Sequence, residues 1–320
     1  MYTVTQFWAI ARLTAIEAIR RPVFLLISLS SITGILLLPL LLHYTLGDSA
    51  RIIRDSAFAL FFVGGLLLAA TAAGETLSRE LRRGTASTIL AKPVPRSLFF
   101  LAKAVGIFAI LTLFAVAALT ATLLSIRAGG SELQLDWAAA GPALLALLTA
   151  PALAGLWNHR THRPFTSAAF CLLLGLLLLA LIVSSFFETP LDHLVFPHQF
   201  SWAILRVGFL LTACLCMVAA LAASLATRLS ITPVLLLCAG LFSLGLMGDY
   251  LLGPHLATSL SARTLYALLP NVQAFWVLDA LDAARPIPLA YLAGATAYAA
   301  AWSAAWLALG AASFQRLEIS

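Results

Sequence analysis

CLLLGLLLLALIV, residues Cys171–Val183, is thirteen consecutive positions without a charge, and its reading decides the fold. A half-buried strand would alternate apolar and polar side chains, and no such alternation is present, which excludes a β-barrel. Followed outward, the run stays uncharged over 165–187. That exceeds the roughly 20 residues needed to cross a hydrocarbon layer about 30 Å thick. With no water at that depth every backbone donor and acceptor must pair within its own segment, so the run is a transmembrane helix.

The rest of the chain repeats the pattern. Val23–Leu46, Ala57–Ala73 and Ser97–Ile126 are comparable stretches in a 320-residue chain that is 62% hydrophobic and 10% charged, with a mean hydropathy of +1.00. A soluble domain carries about a quarter charged residues. The sequence predicts an all-α polytopic membrane protein, one transmembrane domain over 1–320. Its eight spans lie near 22–46, 55–76, 97–126, 137–157, 165–187, 202–226, 232–253 and 288–311. The net charge of +6 does not point to nucleic acid. Thirteen of the nineteen Lys and Arg residues fall on one side of this topology, among them Arg79, Arg82, Arg83, Lys92, Arg96, Arg160, Arg163 and Arg228. Basic loops stay in the cytoplasm, so both termini are placed there. No short apolar stretch with a small-residue cleavage site precedes the first span, so a cleaved signal is not expected.

Three stretches lie outside the spans. Residues 5–21 place Trp8, Ala11, Ala15 and Ile19 at helical spacing, opposite Gln6, Thr14, Glu17, Arg20 and Arg21. That suits an amphipathic helix in the cytoplasmic interface turning at Pro22, although an extension of span one fits the same pattern. Residues 253–288 are too polar to span and too apolar for a free loop. Leu265, Leu268, Leu269, Phe275, Trp276, Leu278 and Leu281 predict short helices on the outer surface. The last span carries a ladder of Ala293, Ala297, Ala301 and Ala305 beside Tyr298, Trp302 and Trp306, a candidate surface for close helix packing.

Several chemistries lack their signatures. No Gly-rich loop is followed by Lys-Ser/Thr, so the chain does not bind ATP by that route. HExxH and GxSxG are also missing. His159 and His162 share a basic loop without further ligands nearby. His193 and His198 lie near Glu188 and Asp192, the residues an enzyme acting on lipid or peptide at the outer surface would use. Cys171, Cys214, Cys216 and Cys238 fall inside spans and read as small buried apolar residues, not as disulfides or metal ligands. Lys103, Arg206 and Asp249 lie near span ends, where a long side chain can reach water. With no ionisable residue at mid-span, an ion-coupled carrier lacks a place for its driving ion.

Glu75–Arg96, ETLSRELRRGTASTILAKPVPR, joins the second and third spans. Glu75 and Arg79, and Arg79 and Arg83, are i,i+4 pairs, and Leu77 and Leu81 share another face, so a short amphipathic helix is predicted to continue out of span two. Gly84 breaks it, and Pro93 and Pro95 redirect the chain into span three. About five residues would suffice to join two spans, so a basic elbow of about twenty reads as a docking element.

Here the sequence resembles the membrane permease subunits of type-2 ABC transporters, closest to the subgroup linked to multicopper-enzyme maturation and gliding motility. In that family a span ends in E-x-x-x-G-T followed by a Leu, a Pro and an Arg. This chain has Glu80, Gly84, Thr85, Leu90, Pro93 and Arg96 in that order. The resemblance extends to the N-terminal interfacial helix and to Leu269-Pro270-Asn271-Val272-Gln273-Ala274-Phe275-Trp276. It includes the ending Phe314-Gln315-Arg316-Leu317-Glu318, with Leu317 where the family has Arg. The family core commonly has six spans, where eight are counted here.

The resemblance implies a non-catalytic subunit of a bacterial cytoplasmic (inner) membrane transporter, working mostly in export. ATP and Mg would be bound by a separate ABC ATPase, with no cofactor or metal in this chain. A second permease chain, identical or not, would complete the assembly within the lipid bilayer. Ser78–Leu90 would be the coupling helix that docks on the ATPase. Glu75, Arg79, Glu80, Arg82 and Arg83 would supply polar contacts, Leu81 and Ile89 apolar ones, and Gly84 close approach. Thr85, Leu90, Pro93 and Arg96 would complete the segment. Three methionines and no thiol ladder give no support for a copper path. The substrate stays open.

Overall fold

The computed structural model describes residues 2–42, 49–78, 95–129, 135–186, 202–255, 259–282 and 287–316. Among these, eight helices are long and apolar enough to cross a membrane, and no strand occurs. The protein is an all-α, multi-pass membrane protein. In chain order the helices are α1 (Tyr2–Ile19), α2 (Pro22–Leu41), α3 (Ser49–Ala73), α4 (Arg96–Ala128), α5 (Trp137–Thr161) and α6 (Phe165–Phe186). Then follow α7 (Trp202–Leu225), α8 (Ile231–Leu252), α9 (Leu260–Leu268), α10 (Leu278–Asp282) and α11 (Leu289–Gln315). All but α1, α9 and α10 are the predicted spans, with ends that differ by a few residues. The second span begins earlier than expected, carrying Arg51, Arg54 and Asp55 on its first turns, where Arg54 lies 3.0 Å from Asp55. At 33 residues α4 is about 50 Å long, well beyond the hydrocarbon thickness.

The chain divides into two compact units. One comprises Ala15–Leu68 and Ile110–Gly208. Small residues set its helix spacing: a Cβ on Gly64 of α3 would lie 2.2 Å from Ser31 Oγ of α2, and one on Gly208 would lie 2.5 Å from Leu119. Ser125 Oγ of α4 donates to the Ile35 carbonyl of α2 at 2.8 Å, and Phe24 meets Phe170 edge to face at 4.8 Å. The α5–α6 hairpin turns outward a lipid-like surface of Leu145, Leu148, Leu156, Leu179, Ile182 and Phe186, all exposed. Its turn uses His162 as a left-handed cap at φ 53°, one of the His pair, and His159 is exposed beside it.

The other unit comprises Met1–Thr14, Ala69–Ala109 and Phe209–Ser320. It holds the start of α1, the end of α3, the start of α4, most of α7, and α8 to α11. On α1 the residue that departs from the expected faces is Thr14, which the spacing put among the polar side chains and which is buried. Ala11, Thr14 and Ala18 are its buried residues, whereas Trp8 is 62% exposed. The cause is close packing on α4: a Cβ on Gly106 would stand 2.7 Å from both the Ala11 carbonyl oxygen and Thr14 Cβ. Only small side chains fit that seam, and Thr14 satisfies its hydroxyl on the Ile10 carbonyl at 2.9 Å. Residues 259–282 form short helices, as predicted. They are fastened to α8 and α11 by Tyr266 donating to Asp249 at 2.6 Å, by the Asn271 backbone donating to Tyr298 at 3.0 Å, and by Gly245 pressed on the Pro270 carbonyl. Ala262, Pro270, Val272, Phe275 and Leu278 are buried, whereas Leu265 is exposed and Trp276 half-buried. Of the four cysteines, Cys214 and Cys238 are buried, Cys216 is half-buried, and Cys171 departs from the expectation by facing outward.

Candidate functional site

The segment singled out by sequence, 75–96, is described at its two stems. Arg79, Glu80, Arg82, Arg83, Gly84, Thr85, Leu90 and Pro93 lie outside the described residues, with Leu81 and Ile89. So do Glu188, Asp192, His193 and His198. Glu75 and Arg96 are described, and each belongs to a packed stem.

The first stem is the end of α3, where the helix changes period. Gly74–Ser78 is a π-helical turn rather than the α-helical continuation that the i,i+4 pairing of Glu75 and Arg79 anticipated. A π turn spaces hydrogen-bonded partners five apart, so the α-helical faces drawn through Glu75 and Leu77 do not hold. Gly74 supplies a local reason: its missing Cβ would lie 2.9 Å from Ile231 Cγ1 and 3.2 Å from the Ile231 Cα. The start of α8 therefore presses on the backbone of this turn. Thr76 and Leu77 are each 1% exposed, and Thr76 Oγ1 donates back to the Ala72 carbonyl at 2.5 Å.

The second stem is the start of α4. Arg96 Nη1 donates to the Gln315 carbonyl at 3.3 Å, across 219 positions of sequence. Phe99 stacks on Phe314 at 6.0 Å with an interplanar angle of 27°, and Phe100 lies 6.1 Å from the same ring. Gly310 lets α11 approach, since a Cβ there would meet Phe100 at 2.5 Å and Ser224 Oγ at 2.7 Å. Ser224 Oγ donates to the Trp306 carbonyl at 2.6 Å, and Arg228 Nε, in the turn between α7 and α8, donates to Ser313 Oγ at 3.0 Å. The end of α11 is thus tied to the stem of the candidate docking segment and to the α7–α8 turn. The predicted alternation of crossings places these same chain ends on one side of the membrane.

Lys103 joins the two stems. It was expected to reach water, but it is 3% exposed. Its ammonium donates to the Thr76 carbonyl at 3.4 Å and stands 5.0 Å from the centre of the Phe99 ring. A buried ammonium is costly unless its donors are met, and a π-turn carbonyl and a ring face meet part of that need. Sequence reasoning set Lys103 aside as a charge near a helix end. The signal that could have singled it out is its position as the one charged residue in the 97–126 run.

Among the described residues the two stems bring no nucleophile and base together; what they do is mechanical, holding the two ends of the 75–96 segment on packed helices. No protein-family model matches the chain, and no curated protein matches it.

Proposed function

We propose that this chain is the membrane-spanning, non-catalytic subunit of a type-2 ABC transporter, in a bacterial cytoplasmic membrane. A separate ATPase chain binds ATP and Mg, and its closure moves the 75–96 segment and the helices attached to it. The observation that carries this reading is the contact of Arg96 with Gln315, beside Phe314 packed on Phe99 and Phe100. Two stretches that carry the family resemblance, 219 positions apart, meet at one stem. A loop that only joined two spans would need no such anchoring, whereas a part that transmits force between rigid bodies does.

A second permease chain is supported by α11. It has the lowest mean hydropathy of the eight spans, 1.3 against 2.7 for α6, yet only 6% of its apolar window is buried. A lipid-facing helix is made of long aliphatic side chains. This one exposes Ala293, Ala297, Ala301 and Ala305, which favour close contact with another helix. Transport runs outward on this reading, and the substrate is unassigned.

The test is co-purification with a soluble ATPase encoded beside it, followed by hydrolysis measured with and without the permease in lipid. The expected result is a stable complex whose permease-stimulated hydrolysis falls at least tenfold in Glu80→Arg and Gly84→Trp, with membrane yield unchanged. Normal stimulation in both variants, or transport by the chain with no ATPase present, rejects the reading.

A further inference from the structure

The π turn at the end of α3 is held by features that lie entirely in described residues of one compact unit. Gly74 is pressed by Ile231, Thr76 and Leu77 are buried, and the Thr76 carbonyl receives the Lys103 ammonium. Lys103 rests on Phe99, which stacks on Phe314. A π turn carries one more residue between hydrogen-bonded partners than an α turn, and such turns recur at functional positions. If the same five residues closed into α geometry, everything beyond them would rotate about 100° around the helix axis and shift about 1.5 Å along it. That change would re-aim the chain beyond Ser78. The Thr76 carbonyl would swing away from Lys103, which cannot follow far, since its ring support belongs to a packed stack.

We propose that Gly74–Ser78 is a two-state joint, π-helical here and α-helical in a second state, and that Lys103 is the positioning residue that selects the π-helical state. The proposal rests on the permease reading for its purpose, which is to convert a pull on the segment after Ser78 into a register change in α3. It does not rest on that reading for its geometry. Lys103 contacts no substrate in this scheme. It acts through the Thr76 carbonyl.

The experiment uses the full chain in nanodiscs and follows backbone amide exchange over residues 74–78 by mass spectrometry, beside ATPase stimulation in the assembled complex. Lys103→Met keeps the side-chain stem and removes the charge. It is expected to speed exchange over this turn at least tenfold and to lower ATPase stimulation by a similar factor, and Lys103→Arg is expected to restore both. Phe99→Leu, a milder change that keeps an apolar contact, is expected to give an intermediate acceleration, and it serves if Lys103→Met does not accumulate in membranes. Parental exchange rates over 74–78 in Lys103→Met, or in Phe99→Leu where that alone is obtained, overturn the joint whatever the ATPase does. Accelerated exchange in a chain that recruits no ATPase upholds the joint and rejects the permease reading instead.

Discussion

Lys103 and Arg127 lie on the same helix, α4, and both withdraw a positive charge from water by different means. Arg127 sets its Nε 3.2 Å from Asp136 Oδ2, with both side chains 6% exposed, and Nη1 donates to the Ser184 carbonyl of α6. Asp136 also caps α5, its side chain accepting from the Ala138 backbone at 2.9 Å, while its own backbone donates to the Ala128 carbonyl at 3.0 Å. These partners are regular helix ends and a carboxylate, so the ends of α4, α5 and α6 are stapled in one geometry. Lys103 instead points a single ammonium at a carbonyl of an irregular turn, at a distance beyond the usual 2.7–3.2 Å, and leans on a ring. The difference separates a fixture from a part that can let go. A planar guanidinium holds its donors in a fixed fork, whereas an ammonium on a flexible stem can turn its donors to new acceptors.

The largest effect should come from breaking the staple. Arg127→Met leaves Asp136 charged and buried, and a buried pair deprived of one partner costs about 3–5 kcal/mol. The measurement is thermal unfolding in detergent, where a marked drop in midpoint is expected. Arg127→Met combined with Asp136→Leu should recover much of the loss, because no uncompensated charge remains. Lys103→Met should cost less, about 1–3 kcal/mol for one unpaired buried carbonyl. Equal destabilisation at the two ends would erase the distinction between them.

Next come two glycines that test how firmly each end is packed. Gly310→Ala drives a methyl toward the Phe100 ring and to 3.0 Å from Ser224 Cβ, in a contact where Ser224 also bonds the Trp306 carbonyl. Overpacking of that kind costs about 1–3 kcal/mol. Gly129→Ala meets Ile53 Cδ1 at 2.3 Å, the free end of a side chain that can rotate away. Its cost should stay below about 1 kcal/mol, since rotamer adjustment is cheap compared with backbone movement. Unfolding midpoints of the two variants, compared side by side, decide whether the stem at Gly310 is as tightly built as its contacts indicate.

The span count was legible because hydrophobic length is local: 165–187 reads as a membrane helix with no reference to its neighbours. The buried face of α1 was not legible in the same way. Periodicity put Trp8, Ala11, Ala15 and Ile19 on the face toward the membrane interface and Thr14 among the polar residues, but in lipid a large apolar side chain gains little by turning inward. The seam instead goes to Ala11 and Thr14, whose size lets Gly106 approach. The π turn was hidden for another reason. A helical wheel at 100° per residue presumes the period it is meant to find, and Gly74 is held against Ile231, far along the chain. Lys103 reads as a charge near a helix end until the turn that receives it is seen. Arg127 lies just past the uncharged end of the 97–126 run, and its pairing with Asp136 needed the α4–α5 connection to be closed in space.

The smallest effect should come from a short hydrogen bond that is open to water. Tyr266 donates to Asp249 Oδ1 at 2.6 Å and is bonded in turn by Asn271 Nδ2 at 3.5 Å. The bond to Asp249 raises the Tyr266 pKa above its usual value of about 10, helped by burial, by the Asp249 charge and by Tyr298. A folded-state pKa above the unfolded one means that the contribution is fully present below about pH 10 and is lost as pH rises through the higher folded value. Tyr266→Phe should therefore leave the unfolding midpoint nearly unchanged at neutral pH, because solvent screens an exposed contact. It should also make the alkaline decline in stability slightly shallower. Ultraviolet titration of the folded protein should show one late-ionising tyrosine that disappears in Tyr266→Phe and ionises earlier in Asp249→Asn. A loss in Tyr266→Phe as large as that in Arg127→Met would mean that burial is not what sets the strength of the polar contacts at the ends of α4.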